Sequence, residues 1–291
     1  MSKELAERKA TLETESYQAW VSAREASDWA AFAPKLEELV ALNVEIAAAV
    51  DPEKSAYDSA LDNFEKGFTS ARIDEIFSEL KAGILPLIAE IKTGTRPDDS
   101  WLQGNWEVKQ QSLVCNEVVK ALGFDAKMGR LDVSVHPFTC GVHPTDVRMT
   151  TRFKANDLME GITGAVHECG HAMYEQGRNP AYDGLPISAA LSLGVHESQS
   201  LLWERMVALS PAFCRFLMPK IQAEFPEFGE NKTPEVLPRT LRPHAPHESA
   251  PPESKFGWNM YSLPWGGQGA SAGAVRSDQH DEGAVTHPCR E

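Results

Sequence analysis

The sequence predicts a mainly α-helical protein with one small antiparallel β-sheet, and three observations predict it. Apolar residues recur at intervals of three and four from Glu4 to Gly123. Between Gly129 and Phe153 the spacing changes to strict alternation, which belongs to strands. Helical spacing then returns at Leu158 and persists to Phe225.

Each element follows from local signals. Leu36, Leu39, Val40, Leu42 and Ala47 form a stripe behind a cap at Asp28, and Asp51-Pro52 ends it. Thr69-Ser70 caps a helix carrying Ile73, Ile76, Phe77, Leu80, Ile84 and Ile88, which Pro86 should kink or divide. Asn105 opens another, with Val114, Val118 and Val119 inward and Gly123 as its stop. Leu131 to His136 and Asp146 to Phe153 alternate apolar and polar, with turn-prone Cys140 to Pro144 between them, which reads as an antiparallel pair. Asn156-Asp157 caps a helix from about Leu158 to Glu175 that ends at Gly177. A helical stretch through Ile187, Ala190 and Leu193 to Glu204 follows, and Ser210-Pro211 starts the last. Beyond Asn231 the seven prolines from Pro234 to Pro264 and Gly266-Gly267-Gln268-Gly269 interrupt any period.

Composition excludes several functions. A net charge of -14 with pI near 5.1 leaves no basic footprint, so neither nucleic acid nor an anionic membrane surface is a partner. The charged N-terminus has no apolar core of a signal peptide, and no segment is apolar for long enough to span a bilayer, so a cytoplasmic location is expected. Cys115, Cys140, Cys169, Cys214 and Cys289 are an odd set without a CxxC pair, which fits reduced thiols.

The chemistry sits in Gly164-Ala165-Val166-His167-Glu168-Cys169-Gly170-His171. On a helix His167 and His171 leave the same face one turn apart and can grip one metal, while Glu168 reaches its open side, the HExxH signature of zinc hydrolases. A catalytic zinc needs a third protein ligand and keeps a position for water. Glu197, in the next apolar-faced helical segment, is the best candidate; read alone, it is equally a solvated helix glutamate. Glu168 is then the general base, taking a proton from water and passing it to a leaving amine. His136 and His143 flank a turn before this helix and read either as substrate or outer ligands or as local hydrogen-bond partners. Arg148 and Arg152 share one side of a strand. They read either as a fork for a substrate carboxylate or as salt bridges to Asp146 and Glu160. His196 adjoins Glu197 and cannot share its direction, so it is a poor ligand.

Four motifs in order then resemble one family. Gly129-Arg130-Leu131-Asp132 leads to His136-Pro137-Phe138. Asp146 to Thr150 is a DxRxT stretch, His167 to His171 is HExxH, and His196 to Ser200 is HES(Q/M)S. Together they resemble the M32 metallocarboxypeptidases. The resemblance implies a helical gluzincin-type peptidase fold, usually a homodimer, that removes single residues from peptide C-termini with one divalent metal, Zn2+ or Co2+. It assigns the metal to His167, His171 and Glu197 and the base to Glu168, and it puts His136 and Arg148 in motifs lining the substrate groove. Family members extend further at both ends, and their IRxxAD and GxxQDxHW motifs are absent from Pro238 to Glu291. Residues 1–237 therefore read as a partial catalytic domain and 238–291 as a divergent, poorly ordered tail, as from an altered reading frame or a splice variant. An active carboxypeptidase, a metal-binding fragment with little activity, and a related helical oligopeptidase are the three functions the sequence allows.

Overall fold

Side-chain caps set the helix starts. Ser2 accepts the N–H of Leu5 and begins α1 (Lys3–Ala26), and Asp28 accepts that of Ala31 and begins α2 (Trp29–Val50). Ser27 between them adopts the left-handed conformation, and the chain doubles back. The pair buries Leu5, Tyr17 and Trp20 of α1 with Phe32, Leu39 and Leu42 of α2. Arg8 meets Glu45 in a two-pronged pair at 2.9 Å, and Lys35 meets Glu15 at 3.1 Å. A short α3 (Ala56–Leu61) and a long α4 (Ser70–Thr93) complete the first of two compact units, Met1–Gly94. Pro86 does not divide α4, which runs unbroken through it. No residue of α4 is buried: Ile76, Phe77, Leu80, Ile84, Leu85 and Ile91 are all exposed.

The second unit starts at Thr95. The computed structural model describes residues 1–95 and 97–240. The tail expected to be poorly ordered, 238–291, therefore lies outside the described residues beyond Thr240. In this unit α5 (Val108–Leu122) ends on Gly123 at φ +115, where a side chain would be strained. It packs on α6 (Leu158–Gln176), whose first N–H groups at Met159 and Glu160 are both capped by Asp157. Val114 and Val118 of α5, Ile162, Ala165 and Val166 of α6, and Leu217 and Ile221 of α8 (Pro211–Glu224) form one core, closed at one end by Trp106, Phe225 and Phe228 edge to face.

The sheet has three strands, β1 (Gly129–Val133), β2 (Thr139–His143) and β3 (Asp146–Thr151), in the order β1-β3-β2. The expected antiparallel pairing holds for β2 with β3 but not for β1, which runs parallel to β3. Alternation reports which face a residue takes, not the direction of its partner, so the pattern over 131–153 carried no information on this point. The segment expected as a turn, Cys140 to Pro144, is largely β2, with the tight reversal confined to the two residues before β3. Gly141 belongs there because the Glu175 side chain of α6 occupies the space a Cβ would need. Cys115, Cys169 and Cys214 are free, buried thiols, whereas Cys140 is disulfide-bonded, which corrects the expectation of five reduced thiols. Spacing along the chain says nothing about which cysteines folding brings together.

After α6 the chain turns through two short 3-10 segments to α7 (Leu193–Leu201), capped by Ser192. The helical spacing read from Ile187 onward thus becomes regular only at Leu193. A π-helical turn, Leu202–Val207, continues α7 directly, and a four-residue α9 (Leu237–Thr240) follows α8.

Candidate metal centre

Helix α6 lays His167 and His171 one turn apart toward α7, with ring centroids 5.0 Å apart. The helices approach this closely because residue 170 is glycine. A Cβ there would lie 2.5 Å from Ser200 Cα and 2.7 Å from Gln199 O. One turn before Ser200, Glu197 faces both rings, its Oε2 3.2 Å from His171 Nε2 and its Oε1 3.9 Å from His167 Nε2. These three residues offer donor atoms all within 4.8 Å of one another.

That donor set fits a small divalent ion. Zinc bonds of about 2.0–2.1 Å in tetrahedral array put neighbouring donors roughly 3.3 Å apart, near the separations found here. Two neutral imidazoles and one carboxylate are also the donor chemistry of a catalytic zinc site, with room left for water. Hydrogen bonding to His171 outweighs burial and holds the Glu197 carboxyl below its ordinary pKa, so it is an anionic donor at neutral pH.

The other side of each imidazole is held from behind. His167 Nδ1 lies 2.8 Å from Glu204 Oε2, and Glu204 is in turn paired with Arg205 at 2.9 Å. Burial lowers the His167 pKa, but the Glu204 hydrogen bond and the carboxylates of Glu168 and Glu197 outweigh it and leave the pKa raised. His171 Nδ1 lies 2.6 Å from His196 Nδ1. Such partners fix which ring nitrogen carries the proton and leave the opposite one free to bind.

Glu168 is buried beside the donors. Burial pushes its carboxyl above the ordinary pKa, opposed by Thr139, whose hydroxyl lies 2.7 Å from Oε2 and 3.0 Å from the Glu168 carbonyl. The first residue of β2 thus orients the acidic group of α6.

Of the residues the sequence singled out, His167, Glu168, His171 and Glu197 come together here, while His196 stands behind His171 and contributes no donor to the cluster. Arg148 Nε and Nη2 grip Asp146 at 2.9 and 2.8 Å, and Arg152 is paired with Glu160. His136 Nδ1 lies 2.6 Å from Pro137 O, and His143 sits between Thr145 and Asp183. Sequence reasoning missed Thr139, Glu175 and Glu204. Two signals were present: Glu175 follows His171 by four residues, and Glu204 follows Glu197 by seven, about two helical turns.

Known proteins share this arrangement of sequence and fold. The carboxypeptidase Taq (M32) metallopeptidase model matches residues 1–243. Thermostable carboxypeptidase 1 of Thermus thermophilus is 38% identical over 236 residues, covering 78% of this chain and 46% of that protein. Carboxypeptidase 1 of Bacillus subtilis is 37% identical over 209 residues, covering 72% and 42%. Among solved structures, the M32 carboxypeptidase of Deinococcus radiodurans superposes with a TM-score of 0.75 at 32% identity, over 83% of this chain and 48% of that one. Pyrococcus furiosus carboxypeptidase gives 0.74 at 30% identity, over 82% and 49%. The chain spans about half the length of the relatives it matches. With a helical frame, an HExxH helix and a glutamate from the next helix facing both histidines, the chain belongs to the M32 metallocarboxypeptidase family.

Proposed function

We propose that this chain is a zinc-dependent carboxypeptidase that hydrolyses the last peptide bond of peptide substrates. The observation that carries the reading is the convergence of His167 Nε2, His171 Nε2 and one Glu197 oxygen, with buried Glu168 next to them. A divalent metal held by these donors, Zn2+ or in its place Co2+, supplies Lewis acidity that polarises the scissile carbonyl and eases deprotonation of water.

The remaining chemistry belongs to the chain. Glu168 takes the proton of the attacking water and delivers it to the leaving amine nitrogen, so one bond to carbon forms, the C–N bond breaks, and the proton count closes. Its raised pKa suits both halves of that task, since a base that is too weak cannot take the proton and an acid that is too weak cannot return it. Thr139 aims the carboxylate and Glu204 holds the His167 ring. His136 and Arg148 line the groove in this reading, and Arg148, already in a fork with Asp146, receives the substrate carboxylate by exchanging that partner. The protein acts in the cytoplasm and pairs with a second copy.

A second reading has its own observation. The chain spans about half of its relatives, and α4 has no buried residue. On that ground it is a metal-binding fragment that turns over slowly. One experiment separates the two: zinc-loaded protein is given a blocked dipeptide and the same dipeptide amidated at its C-terminus. Release from the free acid alone supports the carboxypeptidase, release from both supports an oligopeptidase, and no release with zinc bound supports the fragment.

A further inference from the structure

The face of His171 that looks away from the donor cluster is tied to a chain of groups that ends on a buried carboxylate. His171 Nδ1 lies 2.6 Å from His196 Nδ1, and His196 Nε2 lies 2.9 Å from Glu175 Oε1. The second oxygen of Glu175 is 2.9 Å from Arg178 Nε, and Arg178 Nη1 donates to Ser188 O at 2.9 Å. The two imidazole planes are tilted by 31° with centroids 4.6 Å apart, and the Tyr174 ring packs on His196 at the same separation. The side chains of His196 and Glu175 are only 15% and 11% exposed, so neither has bulk water as an alternative partner.

We propose that Glu175 and His196 are positioning residues that hold His171 in the one tautomer able to bind a metal. The inference rests on the metal-centre reading above. It follows from an acceptor-only group at the far end. A carboxylate oxygen accepts, so His196 Nε2 donates across the 2.9 Å contact and carries the ring proton. With that one ring proton spent on Glu175, His196 Nδ1 accepts across the 2.6 Å contact and His171 Nδ1 donates. His171 Nε2 is left with its lone pair, pointing at Glu197. Arg178 faces the second oxygen of Glu175, so the buried carboxylate is not left without an opposite charge. Gly141 of β2 leaves the space that carboxylate fills.

His167 is held by a carboxylate directly, through Glu204, whereas His171 is held by a carboxylate through a second imidazole. His196 is thus outside the donor set, and its role goes beyond packing on Tyr174. It transmits the polarity of Glu175 across one ring.

The test uses the full chain and compares His196→Asn with His196→Leu. Asparagine places a carbonyl oxygen about where Nδ1 stands and can accept the His171 proton, while leucine cannot accept. Zinc affinity is read by competition with a chromogenic chelator, and metal-free melting temperatures report folding. His196→Leu is expected to bind zinc 10–100-fold more weakly, with His196→Asn within about threefold of wild type, since the bond it restores is a single one. Independently, nitrogen chemical shifts of metal-free wild type are expected to show His171 protonated at Nδ1. Leucine binding as tightly as wild type, or His171 protonated at Nε2, overturns the proposal. Absence of zinc binding by wild type itself would sink the metal-centre reading instead, and the tautomer, measured without metal and without a variant, would still decide the present proposal.

Discussion

Substituting Gly170→Ala should break the metal centre without touching a ligand. The new methyl would stand 2.5 Å from Ser200 Cα, 2.7 Å from Gln199 O and 2.9 Å from Ser200 N. All three are backbone atoms, so no side chain can swing aside to make room. Carbon atoms in contact stand about 3.5–4.0 Å apart, and α7 must therefore retreat by about 1 Å. Glu197 rides on α7. A retreat of that size would carry its Oε2 from 3.2 Å toward roughly 4 Å from His171 Nε2, and its Oε1 beyond the present 3.9 Å from His167 Nε2, where one small ion no longer spans them. Overpacking of a helix contact costs about 1–3 kcal/mol. A displacement near 1 Å in an ordered site costs on the order of a hundredfold in function. Zinc competition titration and metal-free thermal melting of Gly170→Ala and wild type are the assays. Unchanged zinc affinity would refute the argument that glycine at 170 sets the distance between α6 and α7, whatever happens to the melting temperature.

Three further outcomes are expected. Gly83→Ala in α4 adds a methyl that meets nothing within 4 Å, and it should stabilise the helix by about 1 kcal/mol; a lower melting temperature would contradict the open surface. Buried Gln111 donates to the carbonyls of Trp106 and Lys154 at 2.9 and 2.8 Å, so Gln111→Leu removes both bonds, leaves Lys154 O only the longer Asp157 N–H at 3.3 Å, and should cost about 2 kcal/mol in chemical denaturation; a neutral effect would mean that water replaces the lost donor. Asp62 is held at a pKa of about 2 chiefly by the Gly67 amide and then by Lys66, below its unfolded value of 3.8. The folded state binds fewer protons across that interval, so this contribution is complete above about pH 4 and is lost as pH falls through about 2. The Gly67 amide proton shift should titrate with that low midpoint, and a midpoint near 4 would remove the hydrogen bond as its cause.

How much of this was legible in the sequence depends on whether the signal is local. The α6 helix was readable because its cap at Asp157, its apolar face and its histidines at i and i+4 all lie within a few turns. Glu197 was identifiable as a helix residue but not as a ligand until the resemblance to a family singled it out, because a lone glutamate carries no mark of its partner. Strand alternation gave the buried face of β3, Val147 and Met149, but not that of β1, where Val133 is exposed; the parallel pairing of the two follows from β2 lying between them in sequence, and β2 was hidden under turn-prone residues. Arg148 and Arg152 could have faced substrate or neighbouring acids. The structure joins them to Asp146 and Glu160; for Arg152 the nearer Asp157 is engaged in capping α6.

The supports of the metal centre were the least legible part, and the reason is physical. Glu204 reaches His167 from a π-helical turn, whose extra residue per turn shifts every following side chain relative to α-helical spacing. Thr139 acts on Glu168 from a strand, a relation with no fixed sequence offset, and Glu175, although four residues after His171, acts on it only through His196 of another helix. Donors can be found by period because one metal must be reached from one helix face. Groups that fix a tautomer or aim a carboxylate need only to be near in space. All of them nevertheless lie between Thr139 and Glu204, in the unit that begins at Thr95, and this separates the two readings of function cleanly. The donors proposed for the metal, His167, His171 and Glu197, all lie in this unit, whereas turnover also needs surfaces that hold the substrate. Loss of activity in this chain would therefore not imply loss of the metal, and zinc affinity, rather than rate, is the property in which its own residues can be judged.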